Sequence, residues 1–153
     1  MNIFVTSVCP VQSAKFIDNK RKVKMALEST QMLATALNIH GIETGYKTAH
    51  LNHPCTIWTR ASRQNWLWLW DHAMALCNEY QRIYGREHAC VKVLLRMKGH
   101  ETVLPDNGLM SFANCARSKE KGIDFTYEKE VTLAYQLYLN ARWETDKREP
   151  VWS

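Results

Sequence analysis

Apolar positions along this chain recur mostly at helical spacing. Residues Ile3 to Thr6 come first. Short, apolar and β-prone, they read as an extended arm that buries itself, because consecutive apolar side chains gain little by lying in water. Pro10 suits the first turn of a helix. From about Gln12 to Asn38, the residues Phe16, Val23, Leu27, Thr30, Ala34 and Leu37 recur at intervals of three, four and seven, which predicts one long helix with a single apolar stripe. Gly41 follows where a left-handed C-cap belongs, and Ile42 to Pro54 reads as a loop. Ser62 is an N-cap signal for a second long helix that runs to about Tyr84, before Gly85. Trp66, Trp68 and Trp70 alternate like a strand. The series Trp66, Leu69, Ala73, Leu76, Tyr80, Ile83 keeps helical spacing for much longer, so the helix is preferred. A third helix is expected over Glu87 to Met97 and a last one over about Tyr127 to Trp143. Between them Gly99 to Gly122, with Pro105, Asn107, Gly108 and Asn114, forms a long irregular connection. No repeat or linker divides the chain. The expectation is a mainly α fold: a compact helical bundle in a single domain over residues 1–153, with a short extended N-terminal arm.

Composition narrows the class. A hydrophobic fraction of 46% in 153 residues suffices for a packed core. Lys and Arg exceed Asp and Glu by 20 to 15, a formal charge of +5, which favours polyanionic partners. The five cysteines, Cys9, Cys55, Cys77, Cys90 and Cys115, are odd in number and none forms a C-x-x-C pair, as expected of reduced thiols in a cytoplasmic protein. The start, MNIFVTSVCPVQ, lacks the basic region of a signal peptide. No apolar run approaches the roughly 20 residues that span a bilayer, so no membrane partner is expected.

Three stretches carry candidate chemistry. On the first long helix Arg21, Lys24, Glu28 and Gln31 fall within one narrow arc, with Lys20 at its edge. A lone carboxylate among cations can stabilise a developing positive charge or accept a proton. The same pattern also suits a solvated face in which Lys20, Lys24 and Glu28 form ion pairs four residues apart. The second stretch, GYKTAHLNHPCTIWTRASRQNW, sets Lys47, His50, His53, Arg60 and Arg63 beside Tyr46, Trp58 and Trp66. Cations among aromatics can neutralise phosphates and stack on an unpaired base; alternatively the aromatics are core and the histidines cap loops. His50, His53 and Cys55 offer three metal donors. Without a second cluster, which His88 and Cys90 would have to supply, the set is incomplete, and neither a metal nor another cofactor is expected. The third stretch is the tail NARWETDKREPVWS, whose Lys147, Arg148 and Trp152 either follow a phosphate backbone or tuck Trp152 into a groove.

The short blocks NKRKVKMALE, GYKTAHLNHP and NEYQRIYG carry a resemblance. The chain resembles the pyrimidine-dimer DNA glycosylases, the small helical UV endonucleases of phages and bacteria. It is also similar to uncharacterised phage-type proteins through VKMALE, HLNHPC and CNEYQRIYG. In the first block Arg21 stands at the family's His position and Glu28 at its catalytic Glu position, without a gap. The resemblance implies double-stranded DNA as partner and a flipped base. It also implies an amine nucleophile that attacks the sugar C1′, with loss of the base, imine formation and strand scission by β-elimination, and no metal. The α-amines of proteins titrate at about 7.7–8.0, so part of the population is neutral and nucleophilic near pH 7. One departure bears on the nucleophile. Family members expose a small residue once Met1 is removed, whereas here residue 2 is Asn, whose bulk disfavours removal. The amine is then that of Met1, or of Lys20 or Lys24 on the neighbouring helix, or there is none. The Gly99 to Gly122 segment is extra to the compact family. The reading is a DNA-binding protein that acts on a base or abasic sugar with Glu28 and the Met1 amine, held to DNA by Lys20, Arg21, Lys24, Lys47, His50, His53, Arg60 and Arg63. Two alternatives stay open. One is a non-catalytic phage module binding nucleic acid or protein; the other is a metal-dependent DNA-modifying enzyme built on His50, His53 and Cys55. The enzyme reading requires the amine to lie beside Glu28.

Overall fold

The computed structural model describes residues 1–153. In chain order it contains helices α1 (Pro10–Phe16), α2 (Asn19–Asn38), α3 (Pro54–Ala61), α4 (Arg63–Tyr84) and α5 (Cys90–Met97), then a 3-10 turn at His100–Val103. Strands β1 (Arg117–Ser118) and β2 (Ile123–Asp124) pair antiparallel, with Arg117 opposite Asp124, and α6 (Val131–Thr145) closes the series. The fold is mainly α, as the apolar periodicity indicates. Helix α4 lies at its centre, packed on α1, α2, α3 and α5. No helix is long and apolar enough to cross a membrane.

Helix α4 keeps its sequence signals. Ser62 Oγ accepts from Asn65 N at 3.0 Å, and Gly85 ends the helix at φ +72°. Trp66, Leu69, Ala73 and Leu76 are all fully buried. Trp66 donates its indole N–H to Leu33 O at 3.1 Å, which ties α4 to α2.

The first long helix differs from its expectation in two ways. It breaks at Ile17 and Asp18, both extended, so α1 and α2 replace a continuous run from Gln12. The break lets Ile17 enter the core and places the buried Asp18 carboxylate where Arg21 Nη1 (3.1 Å) and Trp143 Nε1 (2.8 Å) donate to it. The buried face is also wider than the predicted stripe and turned from it in the first half: Thr30, Ala34 and Leu37 are buried as expected, but Leu27 is 42% exposed and Met25, Ala26, Ser29, Met32, Leu33 and Ala36 are buried as well. Small and hydroxylated residues on this face admit the neighbouring helices closely, which a count of large apolar side chains misses. The buried Lys22 belongs to the same face, with its ammonium 3.2 Å from Glu79.

Other boundaries shift by a few residues. Helix α3 has no counterpart among the elements expected from periodicity, because its cap is a histidine: His53 Nδ1 accepts from Cys55 N at 3.1 Å. Helices α5 and α6 start at Cys90 and Val131 rather than Glu87 and Tyr127. The tail lies along the fold with Trp152 still 46% exposed, and it leaves Lys147 and Arg148 at the surface. Asn19 N donates to Val151 O at 2.8 Å and Trp152 Nε1 to Phe16 O at 2.9 Å, while the Trp152 ring stands edge-on to Trp143.

The N-terminal arm is buried at Ile3, Phe4 and Val5 but pairs with no strand. Its backbone is held by side chains: Ser13 Oγ donates to Phe4 O at 3.1 Å and accepts from Thr6 N at 3.1 Å. Phe4 adopts φ +58°, an uncommon region for an aromatic residue. That turn stacks its ring on Tyr138 and sets it edge-on to Tyr135, both on α6. The arm thus lies between α6 and the rest of the bundle.

Candidate functional site

Asn2 holds the first residues of the arm in place. Its Oδ1 accepts from Tyr135 Oη at 2.7 Å and from Ile3 N at 2.9 Å, and its Nδ2 donates to Cys115 O at 3.0 Å. With residue 2 clamped and the Met1 side chain 2% exposed, the α-amine has little freedom. It lies 3.4 Å from Glu28 Oε1. The second carboxylate oxygen, Glu28 Oε2, is buried and accepts no hydrogen bond. With no protein partner on that oxygen, a group entering the neighbouring pocket can bond to it.

These two groups face a pocket of about 370 Å³. Helix α2 supplies Lys20, Arg21, Lys24, Met25 and Glu28; the arm supplies Met1, Asn2 and Phe4; β1 supplies Arg117 and Ser118; α6 and the residue after it supply Tyr138, Arg142 and Asp146. Five cationic side chains and the Met1 amine thus surround two carboxylates, so the pocket attracts an anionic ligand. Arg21 is the most constrained of them. Its Nη1 and Nη2 grip Asp146 at 2.9 and 3.0 Å, and Nη1 also reaches Asp18. The Arg21 guanidinium holds the Asp146 carboxyl below the usual carboxylate range, against the opposing effect of burial. Arg142 donates to Tyr138 Oη at 3.0 Å. A second depression opens beside the first, lined by Lys20, Lys121, Arg142, Thr145, Asp146, Lys147 and Arg148.

The remaining sequence candidates lie elsewhere. Lys47 is exposed past the end of α2, in the loop that Asn38 Nδ2 anchors through Tyr46 O at 2.8 Å. His50 is exposed, with φ +50°. Arg60 donates to Leu51 O, and Arg63 to Thr102 O at 3.0 Å and Leu104 O at 3.4 Å. Trp58 and Trp66 are 6% and 0% exposed, which corrects the expectation that they could stack on a base. Both are core residues, and Trp58 packs against Trp68 and Phe112.

His53 is half-buried close behind Met1. Burial first, and the Met1 ammonium second, push its ring below the ordinary histidine value. Its neighbours are Cys55 and Cys115: the donor atoms of the three lie within 4.8 Å of one another. His50 is not among them, which corrects the donor set His50, His53, Cys55, and Cys115 takes its place. His88 and Cys90 form a separate local cap, His88 Nδ1 accepting from Cys90 N at 3.1 Å. The Cys115 thiol is lowered to about 7, chiefly by the adjacent Cys55 thiol and against the opposing effect of burial.

Sequence reasoning missed Asn2, Tyr138, Arg117, Arg142 and Lys121. Arg117 and Lys121 fall in the segment read as an irregular connection, and Arg142 on a helix with no apolar-face signal to orient it. The family model described as pyrimidine dimer DNA glycosylase matches residues 1–92 of the 153. No curated protein and no solved structure matches the chain. The matched part contains Met1, Asn2, Glu28 and the α2 cations; Arg117 and Arg142 lie beyond it.

Proposed function

The chain belongs to the pyrimidine dimer DNA glycosylase family, whose members act in DNA repair, and from that premise we propose that it removes a damaged base from double-stranded DNA and nicks the abasic strand. The observation that carries this reading is the 3.4 Å approach of the Met1 amine to Glu28 at the floor of a cationic pocket. In the neutral state the amine attacks C1′ of the flipped nucleotide. The N-glycosidic bond breaks, the base leaves with its electron pair, and the nitrogen closes an iminium on the opened sugar. Loss of a C2′ proton then breaks the 3′ C–O bond. Glu28 is suited to both demands. Its charge stabilises the cationic sugar, and the unbonded Oε2 is free to take up protons.

The clamp on Asn2 supports Met1, rather than a lysine, as the nucleophile. Lys20 and Lys24 are exposed and swing on long side chains, whereas the α-amine is placed by a buried residue. Rigid placement of the reacting atom lowers the entropic part of a barrier. Arg117, Arg142, Lys121, Lys147 and Arg148 line the pocket rim and the adjoining depression, where they can receive the phosphates that flank a flipped nucleotide. Incubation with a duplex that carries one cyclobutane pyrimidine dimer, and with one that carries an abasic site, tests the proposal. Strand scission at the lesion is expected without added cofactor. An intact strand on both substrates, with the duplex still bound, would favour a binding module over an enzyme.

A further inference from the structure

Behind the Met1 amine the chain gathers three donors with no evident part in base excision. Cys55 follows Pro54 in the first turn of α3 and is fully buried, while His53 caps the same helix. Cys115 precedes β1 in the segment beyond the family-matched residues. Its backbone is pinned on both sides: its N–H donates to Tyr135 Oη at 2.9 Å and its carbonyl accepts from Asn2 Nδ2 at 3.0 Å. Folding thus brings residues sixty positions apart together, with all three donor atoms within 4.8 Å. We propose that His53, Cys55 and Cys115 form a binding site for a thiophilic divalent cation of the zinc class.

The donor chemistry selects the cation. Two thiolates and an imidazole are soft and borderline ligands, which bind zinc or cobalt(II) far better than magnesium or calcium. Zinc–sulfur and zinc–nitrogen bonds of about 2.3 and 2.0–2.1 Å put tetrahedral donors about 3.4–3.8 Å apart, so the widest gap closes by about an ångström. Half-buried His53 and Cys115 leave the cation a way in. Little has to be broken. Cys55 Sγ makes only a long donation to Asn2 Oδ1, at 3.9 Å. His53 Nδ1 gives up the Cys55 N–H only if that nitrogen, rather than Nε2, binds the ion. Three protein ligands leave a fourth position for solvent. The bound ion fastens α3 to Cys115, two residues before the pocket residue Arg117, and so ties the C-terminal third to the matched portion. Binding releases protons, because both thiols must ionise.

The test uses the full-length protein and no DNA. It is stripped with a chelator, then titrated with cobalt(II) and, separately, zinc. The expected result is about one ion per chain, with near-ultraviolet thiolate-to-cobalt bands and the visible bands of a tetrahedral site. Zinc should raise the melting temperature of the stripped protein. Cys115→Ser should lose most of the near-ultraviolet intensity and the zinc-dependent shift, and His50→Ala should keep both. Should Cys55→Ser fail to fold, the half-exposed Cys115 carries the test alone. No bound cobalt in a folded, reduced protein overturns the proposal. A mass two daltons low, with Cys55 and Cys115 in one disulfide-linked peptide, overturns it in favour of a redox pair. Strand scission by the stripped protein is scored separately, so failure of the metal site and failure of the glycosylase reading give different results.

Discussion

Two stretches of this chain mix cations with potential ligands and aromatics: residues 20–28 on α2, and residues 46–66 across α3 and the start of α4. In the fold they part company. The first keeps Lys20 and Lys24 exposed around a pocket, and Glu28 holds one oxygen on the Met1 amine and the other unbonded. The second commits most of its cations and aromatics to structure, although Lys47 and His50 stay exposed: Arg60 and Arg63 bind backbone carbonyls, and Trp58 and Trp66 fill the core. Similar residue types become a site or a scaffold according to whether their polar atoms already have partners. A cation spent on a carbonyl has little left for a phosphate, whereas a carboxylate oxygen without a partner is available to a substrate.

Breaking the first region should have the largest effect. Glu28→Gln keeps the shape and removes the charge, so scission at an abasic site should fall by about 10²–10³-fold, the scale of removing one preorganised electrostatic group. Duplex affinity, read by fluorescence anisotropy, should hold or rise. If Glu28 is only half of an ion pair, activity will be unchanged.

Breaking the second region should act on stability instead. Trp66→Ala removes a fully buried ring and its bond to Leu33 O, and should cost about 3–5 kcal/mol in denaturant unfolding. A change under about 1 kcal/mol would mean the ring is not core.

A third effect sharpens the contrast through pH. His72 is fully buried on α4, and burial lowers its pKa to about 4, although a bond to Pro10 O at 3.0 Å opposes the shift. The unfolded chain then binds the extra proton over the window between about 6.5 and 4. Stability from this residue is complete above about pH 6.5 and is lost as pH falls toward 4, by at most about 3 kcal/mol. In His72→Gln the fall in melting temperature across that window should be smaller than in the wild type.

The smallest effect separates the two sets of surface cations. Lys121→Glu and Arg148→Glu, at the depression beside the pocket, should each weaken duplex binding several-fold and flatten the log–log salt dependence by about 0.9 for each phosphate no longer neutralised. Lys47→Ala should leave the slope unchanged. Equal slopes for all three variants would mean the duplex does not follow the pocket side.

The sequence made the helices legible wherever periodicity and caps agreed. Ser62, Trp66 and Gly85 mark α4 to the residue. The arc of Arg21, Lys24 and Glu28 was readable because helical geometry alone places those residues together. The rest needed the fold. The break at Asp18 depends on partners as distant in sequence as Trp143, and α3 is capped by a residue type that rarely signals a cap. Lys22 reads as one more surface cation until Glu79 is placed opposite it. Asn2, whose only sequence signal is a bulk that disfavours removal of Met1, holds the amine through bonds to Tyr135 and Cys115, more than a hundred positions away. Arg117 and Arg142 enter the pocket from elements whose docking leaves no local trace.

The central claim is that the Met1 amine is the nucleophile. Borohydride reduction during incubation with abasic-site DNA, followed by peptide mapping, tests it most directly. The expected product is a covalent adduct on the Met1 α-nitrogen, absent when a few residues are added before Met1 although that variant still binds the duplex. An adduct on Lys20 or Lys24, or scission undiminished by the extension, would contradict it.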